Sequence, residues 1–114
     1  MPGEDREHEA FIDEPITPKP GSFDTAAMAR GGPGIPRVFT WRDREYHVAL
    51  VLRTWRTRQP GVGKDRIWLY TRKHFYRIRT TSGQAMTIYF DRKPQWTRDR
   101  KPMRWFLYSV AAQQ

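Results

Sequence analysis

Two stretches of alternating apolar and polar residues, 73–80 and 85–90, predict a β-hairpin at the centre of the chain's folded part. They are joined by Thr81, Ser82 and Gly83, residue types that favour a tight turn. Because successive side chains of a strand point to opposite sides of a sheet, each strand has one face that points to a core. The predicted core-facing set is Tyr76, Ile78 and Thr80 on the first strand and Met86, Ile88 and Phe90 on the second.

The opposite face of this hairpin mixes cationic and aromatic side chains. It carries Lys73, Phe75, Arg77 and Arg79 on the first strand and Ala85, Thr87 and Tyr89 on the second. Arg and Lys neutralise phosphates, and exposed aromatic rings stack on unpaired bases, so this composition indicates a surface for nucleic acid. The alternative is that Phe75 and Tyr89 pack under loops while the arginines only solvate the face.

The same alternation predicts further strands on both sides of this hairpin. Residues 37–41 and 45–56 form a second hairpin that turns through 42–44, residues 66–72 form a short strand or part of the return of a loop over 57–65, and residues 104–110 close the sheet. Within 45–56, one face carries Tyr46, Val48, Leu50 and Leu52, and the opposite face is also partly apolar. We therefore expect a bent strand that is shared by two halves of the sheet.

Five or six short strands with a small core predict a mainly β domain, either a small curled antiparallel sheet or an SH3-like or OB-like barrel. We place this basic β-domain at residues 37–114, with an exposed basic loop over 91–102. Residues 1–36 are acidic and rich in Pro and Gly. They predict a disordered or extended tail over 1–20, a short helix over 22–30 and a linker over 31–36.

Length and composition narrow the class of protein. At 114 residues the chain has room for one compact domain and a tail. It has no Cys, which excludes disulfides, thiolate zinc sites and cysteine catalysis, and which fits a cytoplasmic protein. No apolar run approaches the roughly 20 residues of a membrane helix, and the acidic N-terminus does not resemble a signal peptide. We expect a protein that is not exported and has no membrane partner.

The charge is distributed unevenly along the chain. Residues 1–36 contain three Lys or Arg against seven Asp or Glu, whereas residues 37–114 contain eighteen against five. The β-domain is thus more basic than the net charge of +9 suggests. A positive field of this strength attracts polyanions such as nucleic acid. The alternative is a compositional bias, sixteen Arg to five Lys, without any ligand.

The residues that could support catalysis or metal binding lack the required spacing. The segment GVGK at 61–64 is followed by Asp65 rather than the Ser or Thr of a phosphate-binding loop. The three histidines, His8, His47 and His74, show no ligand spacing. The five acidic residues of 37–114 lie mostly at predicted turns beside Arg or Lys, where local ion pairing is the simpler explanation. We predict no catalytic residues, no metal and no cofactor.

Three segments carry a resemblance to a known family. They are RVFTWRDREYHVALVLRTW, HFYRIRTTSGQAMTIYFDR and RWFLYSV, which together cover most of residues 37–110. They are similar to a family of small uncharacterised bacterial domains of unknown function in which a W-R-x-R-x-Y turn, a Y-R-V-x-T strand and a closing W-x-L-Y strand recur. Some relatives are joined to proteins that resemble error-prone DNA polymerases. The resemblance implies a shared fold and a setting in DNA repair or damage tolerance, but no activity.

These observations favour a non-enzymatic nucleic-acid-binding module. Single-stranded DNA or RNA is preferred over duplex because no recognition helix is apparent. An alternative from another class is an adaptor domain that offers its sheet edge or aromatic surface to an acidic protein partner. The predicted nucleic-acid contacts are Lys73, Phe75, Arg77, Arg79, Tyr89, Arg92 and Lys93.

Overall fold

The computed structural model of the protein describes residues 9–29, 34–62, 67–96 and 102–111. Strands account for 76% of them. The elements are β1 (Glu9–Pro15), β2 (Thr17–Pro18), α1 (Thr25–Ala29), β3 (Val38–Trp41), β4 (Arg44–Val62), β5 (Ile67–Thr80), β6 (Ala85–Trp96) and β7 (Pro102–Ala111). The strands form one antiparallel sheet in the order β1-β7-β6-β5-β4-β3-β2, which is curled into a half-barrel.

The mainly β class and the curled antiparallel sheet are confirmed, but the sheet has seven strands rather than five or six. The count is wrong because β1 and β2 lie in the segment that was predicted to be a tail. β1 pairs with β7 and β2 pairs with β3, so the acidic segment forms the two outermost strands of the sheet. The strand lengths also differ, because residues 57–62 continue β4 and residues 67–80 form a single strand.

The central hairpin, β5 and β6, has the predicted register and facing. Tyr76 pairs with Ile88 and Ile78 with Met86, and all four contribute to the main core cluster. The turn over 81–83 is closed by a hydrogen bond from the Gly83 N–H to the Thr80 carbonyl at 2.9 Å. Gly83 has a φ of 93°, a conformation that glycine adopts without steric cost.

The main core lies inside the curl of the sheet. Ile78, Met86, Ile88 and Leu107 are fully buried there. They are covered from the β2 to β3 side by Ile16, Ile35 and Phe39. Residues 34–36 are buried, so the predicted linker over 31–36 is wrong for this part, while residues 31–33 lie outside the described residues. The predicted helix is confirmed over Thr25–Ala29, where the Asp24 carboxylate accepts a hydrogen bond from the Ala26 N–H.

Two β-bulges bend β4. Between Val48 and Leu50, and again between Val51 and Arg53, β4 contains one residue more than β5. Each extra residue interrupts the alternation and increases the local twist. The predicted shared core face of Tyr46, Val48, Leu50 and Leu52 is therefore wrong beyond Val48: Leu50 is 56% exposed and Leu52 46% exposed. The bend itself agrees with the expected strand shared by two sheet halves, since β3 pairs with residues 44–47 and β5 with residues 48–62.

Candidate nucleic-acid interface

The outward face of the central hairpin carries a second aromatic cluster. Phe75 and Tyr89 point away from the main core, as predicted, but they are only 7% and 1% exposed. Tyr89 stacks on Phe106 with the ring centres 5.1 Å apart, and Phe75 stacks on Trp55 at 5.3 Å. Large flat rings on neighbouring strands cover one another, so this face is buried without a separate layer above it. The expectation that these two rings are exposed for stacking on bases is wrong.

The Tyr89 hydroxyl connects this aromatic cluster to β1. The Tyr89 hydroxyl donates to the Asp13 carboxylate at 2.6 Å. Burial raises the pKa of Tyr89, and the hydrogen bond to Asp13 raises it further, so the phenol stays protonated. Above the same ring, Lys73 Nζ lies 4.8 Å from the ring centre. The predicted contact residues Lys73 and Tyr89 therefore contact each other.

Arg77 is neutralised inside the domain. Its guanidinium donates to both carboxylate oxygens of Glu9 and to the Thr87 hydroxyl at 3.0 Å, while the Ser109 hydroxyl donates to Glu9 at 2.7 Å. Burial alone would raise the pKa of Glu9, but the hydrogen bonds from Arg77 and Ser109 and the Arg77 charge outweigh it and hold this pKa below its usual value. Because Glu9 compensates the positive charge of Arg77, we expect Arg77 to attract a phosphate less strongly than an unpaired arginine would.

A buried carboxylate holds the segment that contains Arg92 and Lys93. Asp91 is fully buried and accepts hydrogen bonds from the Lys93 N–H at 3.0 Å, from Gln95 at 3.0 Å and from Arg72 at 3.3 Å. Burial tends to raise the pKa of Asp91, but these donors hold it below the usual range. The predicted loop over 91–102 is wrong for residues 91–96, which belong to β6, and for Pro102, which begins β7; residues 97–101 lie outside the described residues.

Three arginines and a histidine cross four adjacent strands at the end of the sheet away from the 81–83 turn. Arg56 on β4 pairs with His74 on β5, which pairs with Phe90 on β6. Arg104 on β7 lies 5.9 Å from the Phe90 ring centre and donates to the Arg92 carbonyl. We call Arg56, His74, Arg92 and Arg104 the cationic row.

The positive charge of the cationic row disfavours protonation of its histidine, His74. Burial lowers the pKa of His74, and the positive charges of Arg56 and Arg92 lower it further. Arg56, Arg92 and Arg104 are exposed, and none of the acidic side chains in the described ranges forms an ion pair with them. The row is therefore a concentration of positive charge that the described part of the chain does not neutralise.

The model of a family described as a domain of unknown function, DUF6504, matches residues 1–112. The chain belongs to the DUF6504 family. The match includes the acidic segment that supplies β1 and β2 as well as the basic strands. No curated protein and no solved structure matches the chain.

The DUF6504 fold separates the predicted contact residues into three places. Lys73, Phe75, Arg77 and Tyr89 lie together on the outward face of the hairpin. Arg92 is part of the cationic row, and Lys93 is exposed next to it. Arg79 is exposed at the other end of the hairpin, where its guanidinium donates to the Gly83 carbonyl at 3.1 Å.

Sequence reasoning missed Arg56, His74 and Arg104 as parts of one site. Their signal is the residue spacing: His74 is two residues before Tyr76 on the core-facing side, and Arg104 precedes the closing strand's buried Trp105. Alternation alone puts Arg56 on the face of Val48, because the two bulges of β4 cancel in parity, but its pairing with His74 depends on both bulges, which the sequence pattern does not reveal.

The other polar sites of the domain are poorer candidates for a functional site than the cationic row. An open cleft of about 500 Å³ near the 81–83 turn is lined by Arg44, Glu45, Tyr46, His47, Thr80, Thr81, Ser82 and Gln84. Its histidine contacts the Glu45 carboxylate at 2.9 Å, and both side chains are half exposed.

Among the described residues, no group of three or more His, Asp or Glu side chains could hold a metal ion. His8, Gly63 and Lys64 lie outside these residues. The described helix is too short to cross a membrane.

Proposed function

We propose that this DUF6504 domain is a non-enzymatic nucleic-acid-binding module that prefers single-stranded DNA or RNA to duplex. The observation that carries the proposal is the cationic row, where exposed arginines from three strands lie beside a histidine on a fourth without described acidic partners. Phosphates would bind these arginines with release of counterions, so affinity would fall as salt rises.

The shape of the cationic row supports the proposed preference for single strands. Neighbouring strands are about 4.8 Å apart, so the row spans about 14 Å along a curved sheet. Its arginine planes can stack on unpaired bases as well as bind phosphates. The one described helix has five residues, too few to act as a recognition helix in a duplex groove.

The predicted contacts contribute unequally to this proposal. Arg92 belongs to the cationic row and Lys93 extends it, while Lys73 and Arg79 would supply charge from outside the row. Phe75, Arg77 and Tyr89 would act indirectly, by building the sheet that presents the row. A cytoplasmic role in DNA repair or damage tolerance is the setting that the sequence and its family resemblance suggest, and we include it in the proposal.

Titration of labelled single-stranded DNA, RNA and duplex across a salt series tests the proposal. We expect micromolar affinity for single strands, and the slope of log affinity against log salt should fall by about one unit in each of Arg56→Gln, Arg92→Gln and Arg104→Gln. Arg42→Gln is the matched control, because Arg42 is an exposed arginine in the β3 to β4 turn that pairs with Glu14 at 2.7 Å. Its slope should stay unchanged.

Two results would contradict the proposal. Absence of binding to all three probes at low salt would remove the function altogether. Equal slopes for the row variants and the Arg42 control would mean that binding reflects only net charge, not this site.

A further inference from the structure

β4 has one paired edge and one open edge over most of its length. β5 pairs with it along residues 48–62, whereas β3 pairs only with residues 44–47. The last contact on the β3 side is the Val48 N–H, which donates to the Arg37 carbonyl at 2.8 Å. Beyond it, no strand in the described ranges pairs with this edge. Its backbone N–H and C=O groups can therefore accept one more strand.

The same stretch of β4 exposes three consecutive apolar side chains. Leu50, Val51 and Leu52 are 56%, 43% and 46% exposed. Folded proteins usually protect an open strand with charged residues, proline, short length or bulges that twist the edge away. β4 has two bulges, but its edge still presents aliphatic side chains: Leu50 is paired with the outward-facing Arg79, Leu52 has no register partner among the described residues, and Val51, opposite Ile78, lies beyond the end of β3. We call residues 49–53 the open edge of β4.

We propose that the open edge of β4 binds an extended acidic peptide segment of a partner protein by β-strand addition. An exposed arginine, Arg53, follows the apolar residues directly on β4, and Arg79, the register partner of Leu50, adds positive charge from β5 across the paired edge. The segment would place apolar side chains over Leu50, Val51 and Leu52 and a carboxylate near Arg53. Specificity would come from alternate side chains and affinity from main-chain hydrogen bonds.

The charges of the chain favour an acidic peptide over other occupants. Nucleic acid cannot form a peptide hydrogen-bond ladder with a strand edge. A second copy would bring another chain of net charge +9 against this one, with like-charge repulsion. Within the domain, β1 already shows the proposed mode on the outermost position beside β7, where it pairs antiparallel and places Glu9 on Arg77.

Selection of random peptides displayed on phage against the full chain tests this inference. We expect the selected sequences to alternate apolar with other residues and to carry net negative charge. Leu52→Lys should weaken their binding by about tenfold or more, because the loss of apolar contact outweighs the weak attraction of an exposed added cation for the carboxylates of the peptide. Phe11→Lys is the matched control, since Phe11 is 72% exposed on β1 and the same substitution there adds the same charge. It should change affinity by less than about twofold.

Hydrogen exchange gives a second measurement on the same complexes. A selected peptide should slow exchange of backbone amides within residues 49–53, while single-stranded DNA should not. The inference is overturned if no peptide is selected, if Leu52→Lys and Phe11→Lys bind the peptides equally well, or if the selected peptides are not acidic. It is also overturned if the protein alone forms a dimer that Leu52→Lys dissociates, because the occupant would then be a second copy.

Discussion

The two faces of the β5 to β6 hairpin are both buried, but by different means. On the core face, the aliphatic side chains of Ile78, Met86 and Ile88 are covered by residues from the β2 to β3 side as the sheet curls. On the outward face, Phe75 and Tyr89 are covered by neighbouring rings and by charged side chains of the same sheet. Alternation thus defines which way a side chain points, but not what covers it.

The difference makes the outward face depend on ionised groups. Its rings lie between Lys73, Asp13 and the Arg77 to Glu9 pair, whereas the core cluster contains no ion pair among the described residues. Both clusters should therefore be sensitive to loss of side-chain volume, and the stability contributed by the outward cluster should in addition depend on pH.

The largest effect is expected from Tyr89→Ala. Removing a fully buried aromatic side chain should destabilise the domain by about 3 to 5 kcal/mol, mainly through the cavity it leaves. Tyr89→Phe is the control, and it should cost about 0.5 to 1.5 kcal/mol because it keeps the ring and removes only the hydroxyl, which is hydrogen-bonded to the exposed Asp13 and to Gln95. Denaturant unfolding measures both. If Tyr89→Ala leaves stability unchanged but abolishes binding of single strands, the ring is a binding group and not part of a core.

On the core face, Ile88→Ala should cost about 2 to 5 kcal/mol, against about 0.5 to 1.5 kcal/mol for Ile88→Val. Ile88 is fully buried among aliphatic residues, so the free-energy loss should be the same at pH 7 and at pH 5. Urea unfolding at the two pH values checks this. Binding per folded molecule should not change. A loss that grows as the pH falls would mean that the two faces are coupled more closely than their separate clusters indicate.

The core face was predictable from sequence because its signal is local. The period of two over 73–80 and 85–90 and the residues of the turn define the facing of Ile78 and Ile88 without knowledge of any other strand. The burial of Phe75 and Tyr89 was not predictable in this way. It depends on Trp55, Phe106 and Asp13, which come from three other strands.

Two structural features of the chain account for most of the other errors. The first is the bulges of β4, which interrupt the alternation so that Leu50 and Leu52 become exposed. The second is β1, whose polar and proline-containing sequence has the composition of a tail. Its place in the sheet depends on long-range contacts, such as Glu9 with Arg77 and Asp13 with Tyr89.

A smaller effect, specific to the outward face, is expected from Glu9→Gln. The pKa of Glu9 is held below its usual value, so its ionised form stabilises the fold above about pH 4.3, and this stability is lost as the pH falls through the lower pKa of the folded state. The variant should lose about 1 to 2 kcal/mol near neutral pH, since one hydrogen-bonded ion pair is weakened. The difference from wild type should narrow in acid.

Unfolding free energies measured from pH 7 down to acid test this expectation. Part of the acid sensitivity should persist in Glu9→Gln, because the pKa of Asp91 is also held low and this carboxylate keeps its donors. A difference between variant and wild type that stays constant at all pH values would show that the charge of Glu9 contributes nothing to the outward face.

The smallest effect is expected at Lys73, where stability and binding meet. Its ammonium group lies over the Tyr89 ring, so Lys73→Gln should cost about 0.5 to 1 kcal/mol of folding free energy through the lost cation–π contact. The same change should lower the salt slope of single-strand binding by up to about one unit, because one cation near the cationic row is removed.

Lys73→Arg, which keeps the charge, should restore the salt slope, and it should restore most of the stability because guanidinium groups also bind aromatic faces. Thermal unfolding and salt titration of the two variants measure these terms separately. If Lys73→Gln changes only stability, the outward face is purely structural, and nucleic-acid contact is confined to the cationic row and its immediate neighbours.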